Sequence, residues 1–263
     1  MIFRYKKHQS ISNTNSTITT ILCFIFFFLT NSSSLEAQSI DTFTPAEKAE
    51  ISNLVRQYIK RNPEIILEAL EDIQEREKIQ KEKEQRIQLK LNEKLVERDI
   101  DDPILGNPDG KIIITEFFDY QCGYCKRMLK ILLDISKANN DVKIILKEYP
   151  ILGPASTLGA QVALAAKKQN KYAEMHAALM QLRGRLSEKA VFQIAKEVGL
   201  DTEQLQEDLM DSKILNHLTR TRELGQRLMI RGTPAFIINN TILPGALTKY
   251  QLLELIAQAR EKR

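Results

Sequence analysis

The sequence predicts an α/β domain with an inserted helical subdomain, preceded by an N-terminal helical arm. Three observations predict it. The apolar run Ile112–Phe118, β-branched at first and then aromatic, reads as a buried strand and leads straight into Cys122-Gly123-Tyr124-Cys125, with helical spacing after the second cysteine. A second apolar run, Val142 to Tyr149, is separated from a short hairpin around Asn239-Asn240 by a long block of three- and four-residue apolar spacing. Upstream, residues 44–73 carry two short amphipathic helical patterns.

Taken in order, the chain opens with Arg4, Lys6 and Lys7, the apolar segment Ile18 to Leu29, and small and polar residues up to Ala37. A positive leader, a short apolar core and a small residue at the cleavage position predict a secretory signal peptide over 1–37 and an exported, periplasmic protein. The apolar segment falls short of the about 20 residues that span a bilayer, so a retained membrane anchor is the secondary reading. Cys23 does not suit a lipoprotein, because the apolar run continues past it. With the leader removed, Cys122 and Cys125 are the only cysteines left, and one close pair in an exported chain suits redox use better than a structural framework. The 38 basic and 34 acidic side chains are interleaved and sum to +4, which gives no footprint for nucleic acid.

The arm, 38–73, begins at Thr44-Pro45-Ala46-Glu47, an N-cap, a first-turn proline and a capping-box acid. Ile51, Leu54, Val55, Tyr58 and Ile59 follow at helical spacing; Pro63 closes that helix, and Ile65, Ile66, Leu67, Leu70 and Ile73 line a second. Two such helices bury little by themselves, so they dock on the main domain or on copies from other subunits, a possible homo-oligomer through 44–73. Residues 74–103 are dominated by alternating charge and read as a solvated helical linker; Ile87 and Leu91 restore the apolar seam only at its end. Gly106-Asn107-Pro108-Asp109-Gly110 supplies a turn before the strand at Ile112.

Beyond the cysteine helix, Asn139-Asn140-Asp141 breaks the chain before the second strand. Helical patterns follow at 156–169, 172–182, 188–198 and 202–227, within an insertion of about 154–228. Then come Gly232-Thr233-Pro234, a strand Ala235–Ile238, a short strand at Ile242-Leu243 and a last helix from Thr248 to about Glu261. No internal repeat and no Gly-rich phosphate loop is present, and no cofactor is expected beyond a redox-active Cys122–Cys125 pair. Two thiols at a helix start are chemically set apart, because the unpaired backbone N–H groups there favour thiolate over thiol.

Four features together resemble the DsbA-type thiol-disulfide oxidoreductases: EFFDYQCGYCK, EYPILGP after the second strand, GTPAF near the end, and the helix-rich insertion between them. The resemblance covers about residues 104–263, and Arg61-Asn62-Pro63-Glu64-Ile65-Ile66-Leu67-Glu68-Ala69 is similar to the oligomerising arm of ScsC-like members. It implies a thioredoxin fold with an inserted helical subdomain, unfolded or wrongly disulfide-bonded exported proteins as substrates, and a membrane redox partner. On it, Cys122 is the nucleophile that forms the mixed disulfide and Cys125 resolves it. Glu116 stands where the family keeps a buried acid beneath the resolving thiol; a water-exposed strand-edge acid is the competing reading. Thr233-Pro234 matches the cis-proline loop that offers its backbone to an extended substrate segment. The dipeptide Gly123-Tyr124 carries no histidine, which shifts the expectation from a DsbA-like oxidase that donates disulfides toward the isomerase branch.

Two rival readings come from other classes. Zinc needs two ligands beyond the cysteines, and the mature chain offers only His176 and His217, both inside helical patterns and expected as surface or packing residues, so no metal is expected. A secreted thioredoxin-like chaperone or binding module would use the arm and leave the cysteines idle. Met175, Leu179, Met180 and Leu182 lie at helical spacing and read as core.

Overall fold

The computed structural model describes residues 43–261; the predicted signal segment and Cys23 lie outside them. The chain divides into two compact units, the first ending at Glu68 and the second beginning at Ala69. In the first, helix α1 (Pro45–Arg61) is entered through the predicted capping box: the Glu47 backbone N–H donates to Thr44 Oγ1, and the Thr44 backbone N–H donates to the Glu47 carboxylate at 2.7 Å. No residue of α1 is buried, and Leu54, Val55 and Tyr58 stand more than half exposed at 60, 52 and 60%. Helix α2 (Glu64–Leu91) starts after Pro63 and carries the chain into the second unit.

The second unit is built on a five-stranded sheet of order β1-β3-β2-β4-β5, formed by β1 (Ile104–Gly106), β2 (Ile112–Phe118), β3 (Val142–Glu148), β4 (Ala235–Ile238) and β5 (Thr241–Pro244). Strands β2 and β3 are parallel, with Glu116 opposite Leu146 and Phe118 opposite Glu148; β1, β4 and β5 pair antiparallel with their neighbours. The parallel pair is joined by helix α4 (Gly123–Ala138), a crossover connection of the kind such pairing requires. The three-residue edge strand β1 is not predicted, since three residues carry no readable period; only its last residue, Gly106, belongs to the predicted turn.

Period-2 alternation splits the central strands between two apolar layers. Ile112, Ile114 and Phe118 face the larger one, with Cys125, Met128, Leu132 and Ile135 of α4. The same layer takes in helices α5 (Pro154–Lys168), α6 (Tyr172–Gln181) and α7 (Glu188–Val198) of the insertion and the final helix α10 (Lys249–Glu261). The insertion also holds α8 (Thr202–Asp208) and α9 (Ser212–Arg227). The single helix expected over 202–227 is two, because the Asp211 side chain accepts from the Lys213 N–H and caps a fresh helix, and Lys168 pins the break by pairing with both Asp208 and Asp211.

Phe117 faces the opposite side of the sheet, where the structure corrects the expected boundary of the charged linker. Leu89 of α2 and Val96 of helix α3 (Glu93–Glu97) are buried there with Tyr149, Leu224 and Leu228. Ile87 and Leu91, the positions expected to restore the seam, are exposed. The charged segment therefore ends as a lid on the second face of the sheet. Thr115 Oγ1 donates to the Val96 carbonyl, and the buried Lys147 ammonium is held by Asp102 and the Leu95 carbonyl. Burial raises the Asp102 pKa against the opposing pull of that ammonium. His217 lies against the same group, 3.5 Å from Asp102, and burial pushes its pKa down to about 4. His176 and His217 are thus packing residues, and neither lies at the surface.

Candidate active site

Cys122 is the N-cap of α4, with extended backbone; its sulfur accepts the Cys125 backbone N–H at 3.4 Å, taking one of the unpaired donors of the first helical turn. Cys122 is 7% exposed and Cys125 1%, so a partner molecule meets the first sulfur before the second. Between them Gly123 has open space around its Cα, and the Tyr124 ring points outward, 58% exposed, beneath the Arg127 guanidinium 4.1 Å from its centroid. The turn is therefore packed on its inner side and bare on its outer side.

A four-point anchor holds the approach to Cys122. Asp119, 1% exposed at the end of β2, accepts from the backbone N–H groups of Gln121 (2.7 Å), Ile151 (2.9 Å) and Leu152 (3.0 Å) and from Ser156 Oγ (2.7 Å). This ties the cysteine turn to the loop after β3 and to the start of α5. No local sequence signal marks these bonds, because three of the four partners lie 32 to 37 positions further along; the short polar side chain also satisfies a turn N–H group.

Glu116 is buried at 2% exposure on the β2 face that carries Ile114 and Phe118, which removes the water-exposed alternative. Among the described residues its Oε1 has no hydrogen-bond partner. Burial, and then the charge of Cys122, raises the carboxyl to about 8. At the second cysteine, burial and then the Glu116 charge push the Cys125 thiol far up. Both groups are buried, and charge on Glu116 disfavours charge on Cys125. They thus share a proton more readily than both ionise.

A second buried carboxyl lies on the same face. Glu148, 1% exposed, accepts the hydroxyls of Tyr120 at 2.8 Å and Tyr172 at 2.7 Å, and Tyr120 also contacts His176 Nδ1 at 3.1 Å. Burial raises Glu148 to about 8 and pushes His176 down to about 3, so the cluster carries little charge and packs Phe118 and the cysteine turn against α6. No periodicity marks Glu148, a charged residue ending an apolar strand.

The Thr233–Pro234 peptide bond is cis. The Cys122 thiol donates to the Thr233 carbonyl at 3.2 Å, joining residues 111 positions apart. Among the positions expected from sequence, Cys122, Cys125, Glu116 and Thr233-Pro234 therefore converge on one spot. His176 is committed to the aromatic cluster and His217 to the aspartates below the sheet. Such an arrangement can carry dithiol–disulfide exchange: an accessible sulfur at a helix start, a buried sulfur behind it, a proton acceptor beside the second, and a backbone edge at which an extended chain can lie.

The geometry defines a thioredoxin-type fold with a buried pair of free thiols, Cys122 and Cys125, at a helix start. The chain belongs to the DSBA-like thioredoxin domain family, whose model matches residues 113–257, and this places it among the thiol-disulfide oxidoreductases. The model of the copper resistance protein ScsC N-terminal domain matches residues 47–80. A thioredoxin-like oxidoreductase from Silicibacter pomeroyi DSS-3 is 39% identical, with a TM-score of 0.63, over 65% of this chain and 98% of that one. A linker-deleted variant of Proteus mirabilis ScsC is 29% identical, with a TM-score of 0.65, over 86% of this chain and 100% of that one. A periplasmic thioredoxin-like protein from Salmonella enterica serovar Typhimurium is 27% identical, with a TM-score of 0.60, over 64% of this chain and 95% of that one. A curated relative, Na(+)/H(+) antiporter NhaA 1 of Mycobacterium sp. (strain KMS), is 24% identical over 164 residues, 60% of this chain but only 27% of that protein. The chain thus spans about a quarter of the length of that relative. Among the described residues no helix is long and apolar enough to cross a membrane.

Proposed function

We propose that this protein exchanges disulfides in exported proteins of the periplasm, and that it favours rearranging disulfides over introducing them. The Cys122 thiolate attacks a substrate disulfide; one substrate sulfur leaves as thiolate and the other becomes bonded to Cys122. In the rearranging mode the freed substrate thiolate, or another cysteine of the same chain, attacks the mixed disulfide and returns Cys122 reduced. When rearrangement stalls, Cys125 passes its proton to Glu116 and attacks Cys122. The substrate then leaves carrying two more electrons, and a membrane redox partner restores the dithiol. Thr233 and Pro234 hold the substrate backbone during these steps.

The observation that carries the reading is the meeting of Cys122, Cys125, Glu116 and Thr233 in one pocket. Two features favour rearrangement: the absence of a histidine between the cysteines, and the arm with its exposed Leu54, Val55 and Tyr58. That apolar face is suited to a second copy of this chain, and paired catalytic units would grip misfolded substrates multivalently. Localisation is supported by the likeness to a protein described as periplasmic. Purified protein is expected to restore activity to a scrambled-disulfide substrate in a catalytic amount; inability of the wild type to do so, beside a working positive control, overturns the isomerase reading. Light scattering is expected to give a multiple of the chain mass for the full-length protein and the monomer mass for Leu54→Glu/Tyr58→Glu. Truncation is the poorer tool, because Leu89 and Val96 belong to the core. Monomers in both cases would remove the oligomeric role of the arm.

A further inference from the structure

Within the second unit, a cavity of about 300 Å3 opens beside the cis-proline loop. Thr233, Pro234, Ile242 and Pro244 line one side, and Lys81 and Gln85 of α2 line the other, with Arg231 from the loop. Thr233, whose carbonyl accepts the Cys122 thiol at 3.2 Å, is one of the lining residues, so the cavity adjoins the loop against which Cys122 sits.

Helix α2 is fixed on this wall by two contacts. Gln85 Nε2 donates to the Leu228 carbonyl at 3.0 Å, and Leu89 is 3% exposed in the layer beneath. Lys81, Gln85 and Leu89 are four residues apart and form one stripe of the helix, so the contacts that dock Gln85 and Leu89 also turn Lys81 toward the cavity. Lys81 and Arg231 are the charged members of the lining. Both are cations, both are exposed, and neither has an ion-pair partner among the described residues. Elsewhere on α2, by contrast, Lys78 pairs with Glu75. Two unpartnered cations over an apolar floor repel a basic side chain and attract an acidic one.

We infer that this cavity is a specificity subsite that takes an acidic side chain next to the reactive cysteine of an extended substrate, with Lys81 and Arg231 as its selecting residues. The inference rests on the disulfide-exchange reading. Its test uses the oxidised full-length protein and two otherwise identical dithiol peptides carrying Glu or Lys beside the reactive cysteine. In the reaction the peptide dithiol gives up two electrons and two protons and closes its own disulfide, while the Cys122–Cys125 disulfide is reduced to the dithiol. At low salt the wild type is expected to oxidise the Glu peptide about fivefold faster than the Lys peptide, a preference that shrinks as salt screens the exposed charges. Lys81→Glu/Arg231→Glu is expected to invert the preference. The readout is a ratio within one protein, so a loss of active protein lowers both rates and leaves the ratio standing. Equal rates in the wild type, or an unchanged ratio in the variant, overturns the subsite. Oxidation of neither peptide by the wild type overturns the exchange reading itself, and the subsite with it.

Discussion

A Cys125→Ser variant is expected to accumulate covalent adducts with cysteine-containing partner proteins, and a Cys122→Ser variant to form none. The asymmetry follows from placement. Cys122 caps α4 beside the Thr233 carbonyl and is the more accessible sulfur; Cys125 is 1% exposed behind it, and burial holds its thiol protonated until a proton acceptor intervenes. Removing the second sulfur leaves attack on a substrate disulfide intact and takes away one route of release. Turnover that ends with a reduced substrate should fall on the order of 10³-fold or more in either variant, as when a covalent nucleophile is lost. Non-reducing gels and mass spectrometry of the adduct decide the matter. Equal adduct yields from both variants would show that the two sulfurs are not differentiated as the geometry requires.

Glu116→Gln is expected to slow the step in which Cys125 attacks the mixed disulfide by about 10²-fold, within the range for loss of a positioned general base. A carboxyl raised to about 8 is half ionised near that pH, so the wild-type rate of this step should rise with pH up to about 8 and then level. The variant has no such break, because an amide cannot take the proton. Stability supplies an independent readout. The folded-state pKa of Glu116 lies above its ordinary value of 4.5, so the folded protein binds the extra proton; the stabilisation this gives is complete below about 4.5 and is lost as pH rises through about 8. Urea denaturation of the dithiol forms should therefore show Glu116→Gln gaining on the wild type by several kcal/mol across that window. A difference that is flat with pH would mean that Glu116 is not titrating in the fold.

Much of this architecture was legible because its signals are local. The strand Ile112–Phe118, the cysteines and the helix after them are consecutive, and their apolar spacing changes period where the structure changes element. Thr44-Pro45-Ala46-Glu47 declared the start of α1 for the same reason. What stayed hidden depends on residues far apart in the chain. Leu89 and Val96 cover the second face of the sheet from within a segment dominated by charged side chains, and they fall on two separate helices, so no continuous seam joins them. Counting the seam onward from Leu70 and Ile73 put Ile87 and Leu91 inside, whereas the helix docks through Gln85 and Leu89. At the site, Glu116 and the cysteines could be found by type and spacing. Asp119 and Glu148 could not, since each matters through hydrogen bonds to residues 24 to 37 positions further along.

The central claim is that Cys122 and Cys125 form one reversible redox unit, and a titration of the full-length protein against defined glutathione ratios tests it most directly. Alkylation followed by mass spectrometry should show a single two-electron transition, in which both thiols disappear together and a Cys122–Cys125 disulfide takes their place. Cysteines that stay alkylatable under oxidising conditions, or a glutathione adduct on Cys122 with Cys125 still free, would contradict it.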